Sequence, residues 1–407
     1  MNSGFITLLN RISSLEELSP HELAALLKYL ITKEAKVGGP YIIYGNDKDY
    51  AINQKIYMLF AEKGKFLKGS YNFISDKYPD ITSLDLIKTK NQVQDTETTE
   101  AWDSILKSLP EIYKNNSSFT KLFYKIKAND LTGEISNLSK CFYKSLRKIN
   151  KVIEEDTLSA LGKANQYAWL AYSLYDNILD DNTDVEILPI ANNLMRYSVT
   201  EYLSGGLSFP FINSYFDIVD QANIKEANYR NQFSINSQHG IIHIKKILSA
   251  KQLHPLLHER SIIHIIGPLC IAHNQRKEVV DSVYQALSHY CLAKQLNDDI
   301  HDWIEDFSSG RPTYVISKLL NASSMKVGSY KIHKVIDLLK DSYWKGGLVE
   351  LCDEVISAVD ISISLLEDSI LEKNSMFVKH YIQPLKDSAI AAKNSHKFNV
   401  KFLENYK

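Results

Sequence analysis

Two largely apolar stretches of this chain, the first of them apolar on nearly every side when drawn as a helix, each run directly into a group of aspartates. The first extends from Ala164 to Leu174, and the second extends from Val279 to Leu296. A helix that is apolar all round belongs in the interior of a large fold. Carboxylates at the end of such a helix lie against the core, where an unpaired charge is costly. We therefore expect both groups of aspartates to bind something positively charged.

The hydrophobic pattern predicts an all-α protein in four parts. From about residue 101 onward, apolar residues recur at helical spacing and strand signals are few. Two earlier helices are predicted, one from Ser19 to about Lys36 and one from Asp49 to Lys63. The polar stretch from Lys88 to Glu100 is the best candidate for a linker. The predicted parts are a helical N-terminal region over 1–87, the linker over 88–100, a main helical domain over 101–395 and a polar tail over 396–407.

Composition and charge narrow the class of protein. The 407 residues carry a net charge of −1, which gives no attraction to nucleic acid. The four cysteines are far apart, mostly in apolar helical contexts, as expected of reduced core residues in a cytoplasmic protein. We expect neither a signal peptide nor a transmembrane segment, because no apolar run reaches the ~20 residues that span a bilayer. Peripheral contact with a membrane and assembly into a homodimer are left open.

The aspartates of the second group recur every four residues. They are Asp298, Asp302 and Asp306, and Asp299 and Glu305 stand beside them. On an α-helix that spacing forms one acidic stripe, in which like charges repel and weaken the helix. A cation over the stripe relieves the repulsion, and hard oxygen ligands without nearby cysteine favour Mg²⁺. Arg311, in the segment that ends the helix, adds a positive side chain.

The first group stands about 120 residues earlier and follows the same pattern. Asp176 and Asp180 are four apart, and Asp181 and Asp184 follow them. If the two helices face each other across a cavity, their carboxylates form two acidic walls at its mouth. Several Mg²⁺ ions between the walls would bind a diphosphate and neutralise it as a leaving group. The apolar helices below would enclose a hydrocarbon chain and keep water from a carbocation.

Each of these patterns also has a purely structural interpretation. An acidic helix face is most often solvated surface, and a run of Asp, Asn and Thr is good capping and loop chemistry. The apolar run before Asp298, Trp303 within the stripe and the matching first group favour a binding site instead. The histidines between His239 and His273 match no spacing of zinc ligands, and we interpret them as scattered core and surface residues.

The two aspartate motifs resemble those of the class I isoprenoid synthases, which include trans-prenyltransferases, squalene and phytoene synthases and terpene synthases. Residues 298–302 have the DDxxD form, and Gln295 stands three residues ahead of them. The first motif reads DxxxDD, which departs from the commoner DDxxD. The resemblance spans roughly residues 140–390 and implies a bundle of helices around a central apolar cavity, with a smaller helical N-terminal region.

The resemblance also implies roles for individual residues. Mg²⁺ ions, several per site, would be bound by Asp176, Asp180 and Asp181 from one wall and by Asp298, Asp299, Asp302 and Asp306 from the other. Arg260 and Arg311 would bind the diphosphate of a prenyl diphosphate substrate. The catalytic residues would be these two arginines together with Asp176, Asp180, Asp298 and Asp302.

The absence of certain basic residues distinguishes between the branches of this family. Chain-elongating enzymes carry a Gly-Lys-Arg segment before the first motif, whereas residues 144–151 here are basic but lack that glycine pattern. Such enzymes also carry an Arg-Arg pair after the motif, whereas residues 185–193 contain no arginine. We therefore expect a one-substrate terpene synthase that ionises a linear allylic prenyl diphosphate, followed by cyclisation or water capture.

Two alternatives remain open. A trans-prenyltransferase would elongate chains, or would condense two substrates head to head, since the spacing from Glu305 to Gly310 and Arg311 also fits squalene and phytoene synthases. A non-catalytic homologue would bind isoprenoid diphosphates without turning them over. The unusual first motif and the small set of cations favour that second alternative.

Overall fold

The protein, described by a computed structural model over residues 96–147, 153–181, 185–236, 240–273 and 275–405, is predominantly helical. This agrees with the mainly α-helical fold that the sequence predicts. The predicted helices before residue 64, and the whole region 1–87, lie outside the described residues. Within the described ranges, no helix is both long enough and apolar enough to cross a membrane.

The described residues form fifteen α-helices. They are α1 (Thr96–Ser108), α2 (Glu111–Lys114), α3 (Ser117–Asn129), α4 (Leu138–Lys144), α5 (Glu155–Asp181), α6 (Leu188–Ser204), α7 (Phe209–Arg230), α8 (Ala250–Leu253), α9 (Leu256–Glu259), α10 (Ile266–Ala272), α11 (Lys277–Ser308), α12 (Tyr314–Ala322), α13 (Ile332–Ser342), α14 (Leu348–Ser369) and α15 (Gln383–Asn405). Short 3₁₀ turns lie at Val185–Ile187 and Ile262–Ile265, and π-helical turns lie at Tyr343–Gly347 and Val378–Ile382. Helix α1 begins inside the predicted linker, and α15 continues through most of the predicted tail.

Helix α5 is buried on most of its sides, as its apolar sequence predicts. Leu161 and Ala168 belong to the larger hydrophobic cluster of the protein. Leu170 and Leu174 belong to a second cluster, which includes Trp102 of α1 and residues of α3. Because apolar residues run all round the helix, α5 fills the space between the two clusters and carries its aspartate-bearing end to the edge of the core.

Helix α11, with 32 residues, is the longest element in the described part of the chain. It packs along α14, and its buried side includes Tyr290 and Leu296, which are fully enclosed. Toward the C-terminal end the helix also buries Trp303 and Phe307. Phe233 lies on Phe307, with ring centroids 6.1 Å apart. The acidic half of α11 is therefore anchored on its inner side by aromatic packing.

A small antiparallel sheet, which the sequence did not predict, lies beside the end of α11. Its strands are β1 (Phe233–Asn236), β2 (Ile241–Ile244) and β3 (Gly328–Lys331), in that order. Ile242 and Ile244 are buried while His243 between them is exposed, which is the alternation of a half-buried strand. That alternation extends over only four residues, and so short an apolar run does not distinguish a strand from a helical turn.

Helix α11 ends in a glycine turn that determines where Arg311 lies. The N–H of Arg311 donates to the carbonyl of Asp306 at 2.8 Å, and the N–H of Gly310 donates to that of Phe307 at 3.1 Å. These two bonds form a Schellman motif, and Gly310 has a φ of 76°, which favours glycine. The turn folds Arg311 back over the last turn of the helix, where its Nη2 lies 2.9 Å from Asp306 Oδ1.

Candidate functional site

The first aspartate group lies at the C-terminal end of α5. Asp176 is exposed there, two turns after Trp169. Asp180 and Asp181 form the last turn of the helix, but their side chains, like the whole of Asp184, lie outside the described residues. The structure therefore gives the position of the first predicted wall only through the backbone of α5 and the side chain of Asp176.

The second group occupies two faces of α11 rather than the single stripe that the sequence predicts. Asp298 and Asp302 are exposed, whereas Asp299 and Asp306 are only 7% and 8% exposed. Asp306 follows Asp299 by seven residues, which is nearly two full helical turns, so the two side chains lie on the same face. It follows Asp298 by eight residues, about 80° more than two turns, so it points away from Asp298. The buried face is also the one on which Gln295 Nε2 donates to Asp299 Oδ1 at 2.9 Å.

Arg260 links the two aspartate groups electrostatically. It follows the short helix α9, and its Nε lies 2.7 Å from Glu226 Oε2 on α7. Burial alone would lower the pKa of Arg260, because it destabilises the charged guanidinium. Nearby carboxylates stabilise that charge more strongly, so the pKa is raised overall. Those carboxylates are Glu226, Asp176 and Asp299. One guanidinium, on a segment separate from α5 and α11, is therefore within the electrostatic reach of both groups.

An open cleft lies between Arg260 and the end of α11. It holds about 360 Å³ of space, part of it open to solvent. It is lined by Glu226, Leu253, Leu256, Leu257, Arg260, Gln295, Asp299, Arg311, Pro312, Thr313 and Tyr314. Arg260 and Arg311, which the resemblance assigns to the diphosphate, thus line the same cleft together with Asp299 of the second motif.

Burial raises the pKa of every aspartate in the second group. The pKa of Asp299 rises to about 7. The pKa of Asp298 rises to about 6 against the opposing charge of Lys294, although part of this side chain reaches solvent. The pKa of Asp306 also rises to about 6, against the opposing charge of Arg311. Carboxylates that are this costly to ionise gain the most from a bound cation.

The donor set suits Mg²⁺, because every candidate ligand is a hard carboxylate oxygen. In the part of the chain that the structure describes, no three acidic, histidine or cysteine side chains converge on one point to hold a metal ion. Mg²⁺ is commonly held by one or two carboxylates, with phosphate oxygens and water completing its shell. Two walls that each offer one or two carboxylates therefore fit an ion that is shared with a diphosphate.

Charged and aromatic side chains meet between α5 and α11 one turn before Asp298, where the sequence predicted apolar surroundings. Lys294, one turn before Asp298, lies with its Nζ 5.5 Å from the centre of the Trp169 ring on α5. The same Nζ forms an ion pair with Glu134 Oε1 at 2.5 Å. His264 packs against Trp169 with ring centroids 5.1 Å apart. This part of the interior is therefore more polar than the sequence predicted.

Sequence reasoning missed three residues that the structure places around the site, which are Glu134, Glu226 and Lys294. It interpreted a fourth, His264, as one of the scattered core and surface histidines, and the structure buries it beside Trp169. Lys294 had a usable signal, because a residue four positions before Asp298 on one helix lies on the same face. Glu134 and Glu226 had none, since each pairs with a cation far away in the sequence and only the fold brings the two together.

Comparison with protein-family models finds no match for this chain, and comparison with curated protein sequences finds no significant match. The resemblance to the class I isoprenoid synthases therefore stays a prediction from the two motifs. The geometry around Arg260 is what the structure adds to it.

Proposed function

We propose that this chain is a Mg²⁺-dependent class I isoprenoid synthase of the terpene synthase type, which ionises a linear allylic prenyl diphosphate and releases pyrophosphate. The observation that carries the proposal is the cleft that Arg260 and Arg311 share with Asp299 of α11. The charge of Asp176 on α5 also contributes to the raised pKa of Arg260, so two acidic segments about 120 residues apart in the sequence act on one cation. A diphosphate, bound to both walls through Mg²⁺ and directly to Arg260, matches that arrangement.

In this proposal the chain supplies two cations and two acidic walls. Arg260 and Arg311 line one cleft and bind the diphosphate oxygens. Asp176, Asp180 and Asp181 on one side, and Asp298, Asp299, Asp302 and Asp306 on the other, would hold Mg²⁺, whose charge offsets the negative charge that develops on the leaving group. Breaking the carbon–oxygen bond would then leave an allylic carbocation at the site.

Two ion pairs hold the arginines before a substrate arrives. Glu226 Oε2 lies 2.7 Å from Arg260 Nε, and Asp306 Oδ1 lies 2.9 Å from Arg311 Nη2. Cations that are already in place need little rearrangement when charge develops on the substrate, which lowers the activation barrier. We therefore assign Glu226 as a positioning residue for Arg260.

A non-catalytic protein that binds isoprenoid diphosphates is the second candidate. The ion pair of Lys294 with Glu134 below Asp298 favours it, because hydrocarbon gains less from a charged interior than from an apolar one. Such a protein would show Mg²⁺-dependent binding of prenyl diphosphates without release of pyrophosphate.

The test offers the pure protein Mg²⁺ and geranyl, farnesyl or geranylgeranyl diphosphate, each with and without isopentenyl diphosphate. Released pyrophosphate is quantified, and organic extracts are analysed by mass spectrometry. A hydrocarbon or alcohol from one substrate alone supports the terpene synthase. A doubled carbon count indicates head-to-head condensation, and longer diphosphates indicate a chain-elongating prenyltransferase. Binding without pyrophosphate release over the whole panel contradicts the enzyme and favours the binding protein.

A further inference from the structure

Lys294 has two neighbouring carboxylates, and in the described part of the chain it forms an ion pair with only one of them. It lies on α11 one turn before Asp298, so both side chains extend from the same face of the helix. Oppositely charged residues at that spacing commonly pair with each other. Lys294 instead pairs with Glu134, in the loop before α4, whose Oε1 lies 2.5 Å from Lys294 Nζ.

The charge of Lys294 nevertheless acts on Asp298. Burial raises the pKa of Asp298 to about 6, and Lys294 is the strongest of the charges that oppose this rise. Glu134 acts on Asp298 in the opposite direction. An ammonium group near this carboxylate is unfavourable for a Mg²⁺ ion bound there, because two cations repel each other. The pairing with Glu134 offsets that ammonium charge.

The carboxylate of Glu134 is held by contacts that do not involve Lys294. The hydroxyl of Tyr290, a fully buried residue of α11, donates to Glu134 Oε1. Asp130 accepts hydrogen bonds from the backbone N–H groups of the two residues after Glu134, at 2.8 and 3.1 Å. Glu134 is therefore a fixed acceptor, and the long side chain of Lys294 is the partner that can change its position.

Two rings surround this ion pair. Lys294 Nζ lies 5.5 Å from the centre of the Trp169 ring on α5, a distance at which an aromatic face attracts a cation. His264 Nε2 lies 3.7 Å from Glu134 Oε1, which is too long for a direct hydrogen bond. Burial lowers the pKa of His264. Near neutral pH the negative charge of Glu134 is therefore offset by Lys294 rather than by His264.

We propose that Glu134 is a positioning residue, which holds Lys294 away from Asp298 and so keeps that carboxylate available to Mg²⁺. This inference rests on the proposed function, because it needs Asp298 as a ligand of the ion. Without the carboxylate of Glu134, the next carboxylate that stabilises the charge of Lys294 is Asp298. An ion pair between these two residues would compete with Mg²⁺, and the uncompensated ammonium would repel the ion.

The test compares the wild type with Glu134→Gln and with the double variant Glu134→Gln/Lys294→Met. Glu134→Gln keeps the size of the side chain and an acceptor for Tyr290 but removes the charge. Lys294→Met keeps much of the aliphatic stem and removes the ammonium. The double variant thus has the same net charge in this cluster as the wild type. Removing both members of a buried pair also costs much less stability than removing one.

The quantity measured is the Mg²⁺ concentration that each protein needs. Thermal unfolding is followed while Mg²⁺ is added at a fixed concentration of inorganic pyrophosphate, and the midpoint of the rise in Tm is recorded. Pyrophosphate release from each prenyl diphosphate is measured over the same range of Mg²⁺. Excess Mg²⁺ overcomes competition by Lys294, so Glu134→Gln should lose less activity at saturating Mg²⁺ than at low Mg²⁺. A general structural defect would lower activity equally at both.

Asp103→Asn is the matched control. Asp103 on α1 likewise has a carboxylate oxygen 2.5 Å from the Nζ of a lysine, Lys127 on α3. The side chains of Lys127 and Lys294 are similarly buried, at 17% and 21% exposed. Neither α1 nor α3 carries a residue of the two aspartate groups. The midpoint of Asp103→Asn should therefore equal that of the wild type. Circular dichroism verifies that each variant is folded.

We expect Glu134→Gln to need on the order of tenfold more Mg²⁺ than the wild type, and the double variant to return to within about threefold of it. An unchanged midpoint in Glu134→Gln overturns this inference and leaves the proposed function standing. So does a double variant that needs as much Mg²⁺ as Glu134→Gln, because the effect then does not come from Lys294. If Glu134→Gln does not fold, the double variant decides. A midpoint near that of the wild type supports the inference, and one about tenfold higher overturns it.

The same measurements separate this inference from the proposed function. A wild type whose Tm does not respond to Mg²⁺ with pyrophosphate overturns both. A wild type that responds to Mg²⁺ but releases no pyrophosphate from any prenyl diphosphate contradicts the enzyme alone, and the midpoints then still decide the role of Glu134.

Discussion

Asp299 shows how burial and charge together set the chemistry of this site. Its side chain is 7% exposed, and its pKa rises to about 7. Burial is the largest cause, and repulsion by the charge of Asp306 adds to it, while Gln295 and Arg260 act in the opposite direction. A carboxylate in this state is partly protonated near neutral pH, and a cation bound beside it would favour its ionised form.

Replacing Asp299 with asparagine should raise the free energy of unfolding at high pH but not at low pH. The folded protein binds this proton more tightly than the unfolded chain does, so the stabilisation is complete below about pH 4 and is lost as the pH rises. The loss extends from the pKa of the unfolded chain, about 4, to the raised pKa of Asp299, about 7, and is nearly complete above it. At about pH 8, Asp299→Asn should therefore exceed the wild type in free energy of unfolding by on the order of 1–4 kcal/mol. Chemical denaturation without Mg²⁺ measures this difference, and a gain equally large at about pH 4 would contradict the pKa shift.

Under the proposed function, removing one carboxylate from either wall should strongly slow the release of pyrophosphate. Asp298→Ala and Asp176→Ala should each slow pyrophosphate release by on the order of 100-fold or more, because the charge on the leaving group is then poorly offset. Both side chains are exposed, so circular dichroism should show unchanged helical content. Asp281→Ala, which alters an exposed aspartate near the start of α11, is the control and should keep the wild-type rate. Full activity in either wall variant would rule out the proposed mechanism.

The aspartates of α11 lie near its C-terminus, where negative charges destabilise a helix most. The negative end of the helix dipole lies at the C-terminus, so the acidic half of α11 is unfavourable in isolation. The turn at Gly310 reduces that cost, because it returns Arg311 to Asp306. The exposed pair Asp298 and Asp302 lies outside this ion pair. A bound cation would compensate these two aspartates, which is the arrangement that the proposed function requires.

Helix α5 should be unusually sensitive to a single methyl group. Alanine in place of glycine normally stabilises a helix interior by about 0.5–1 kcal/mol. At Gly162, however, an added Cβ would lie 2.6 Å from the carbonyl oxygen of Ser136, in the loop that carries Glu134. Gly162→Ala should therefore destabilise the protein by about 1–3 kcal/mol, because the helix or the loop must shift. Chemical denaturation measures the effect, with Ser159→Ala, at an exposed site on the same helix, as the control. A stabilised Gly162→Ala would show that this close approach is relieved without strain.

The molecule as a whole brings the two aspartate groups toward one cation. Leu161 of α5 and Tyr290 of α11 belong to one hydrophobic cluster, so the two helices share a core. Above that core, Lys294 reaches from α11 to Trp169 of α5, and Arg260 comes from a third segment of the chain. A ligand that binds both walls would therefore connect parts of the protein that are far apart in the sequence.

Mg²⁺ with inorganic pyrophosphate should stabilise the whole protein. A ligand that binds only the folded state at about 100 times its dissociation constant adds about 3 kcal/mol of stability. Thermal unfolding of the wild type should show the corresponding rise in Tm. Asp176→Ala and Asp298→Ala should each lose most of that rise, because each removes a ligand from one wall. A rise that depends on Asp298 alone would contradict a site shared between α5 and α11.

Local sequence was sufficient to predict the mainly helical character of the described chain, the buried character of α5 and the acidic ends of two helices. Helical periodicity and the turn chemistry around Gly310 act over a few residues, so they can be recognised in the chain itself. The same local reasoning placed Asp298, Asp302 and Asp306 on one stripe, although the 3.6-residue turn rotates Asp306 about 80° away from Asp298 over that distance. It also missed the three short strands, because four residues carry too little pattern.

The remaining features depend on contacts between distant parts of the chain. Glu226 pairs with Arg260 across 34 residues, and Glu134 pairs with Lys294 across 160. The burial that raises the pKa of Asp299 likewise comes from packing against other segments. No local rule predicts such pairs, because the free energy of an ion pair or of a buried charge depends on the surroundings that the whole fold creates.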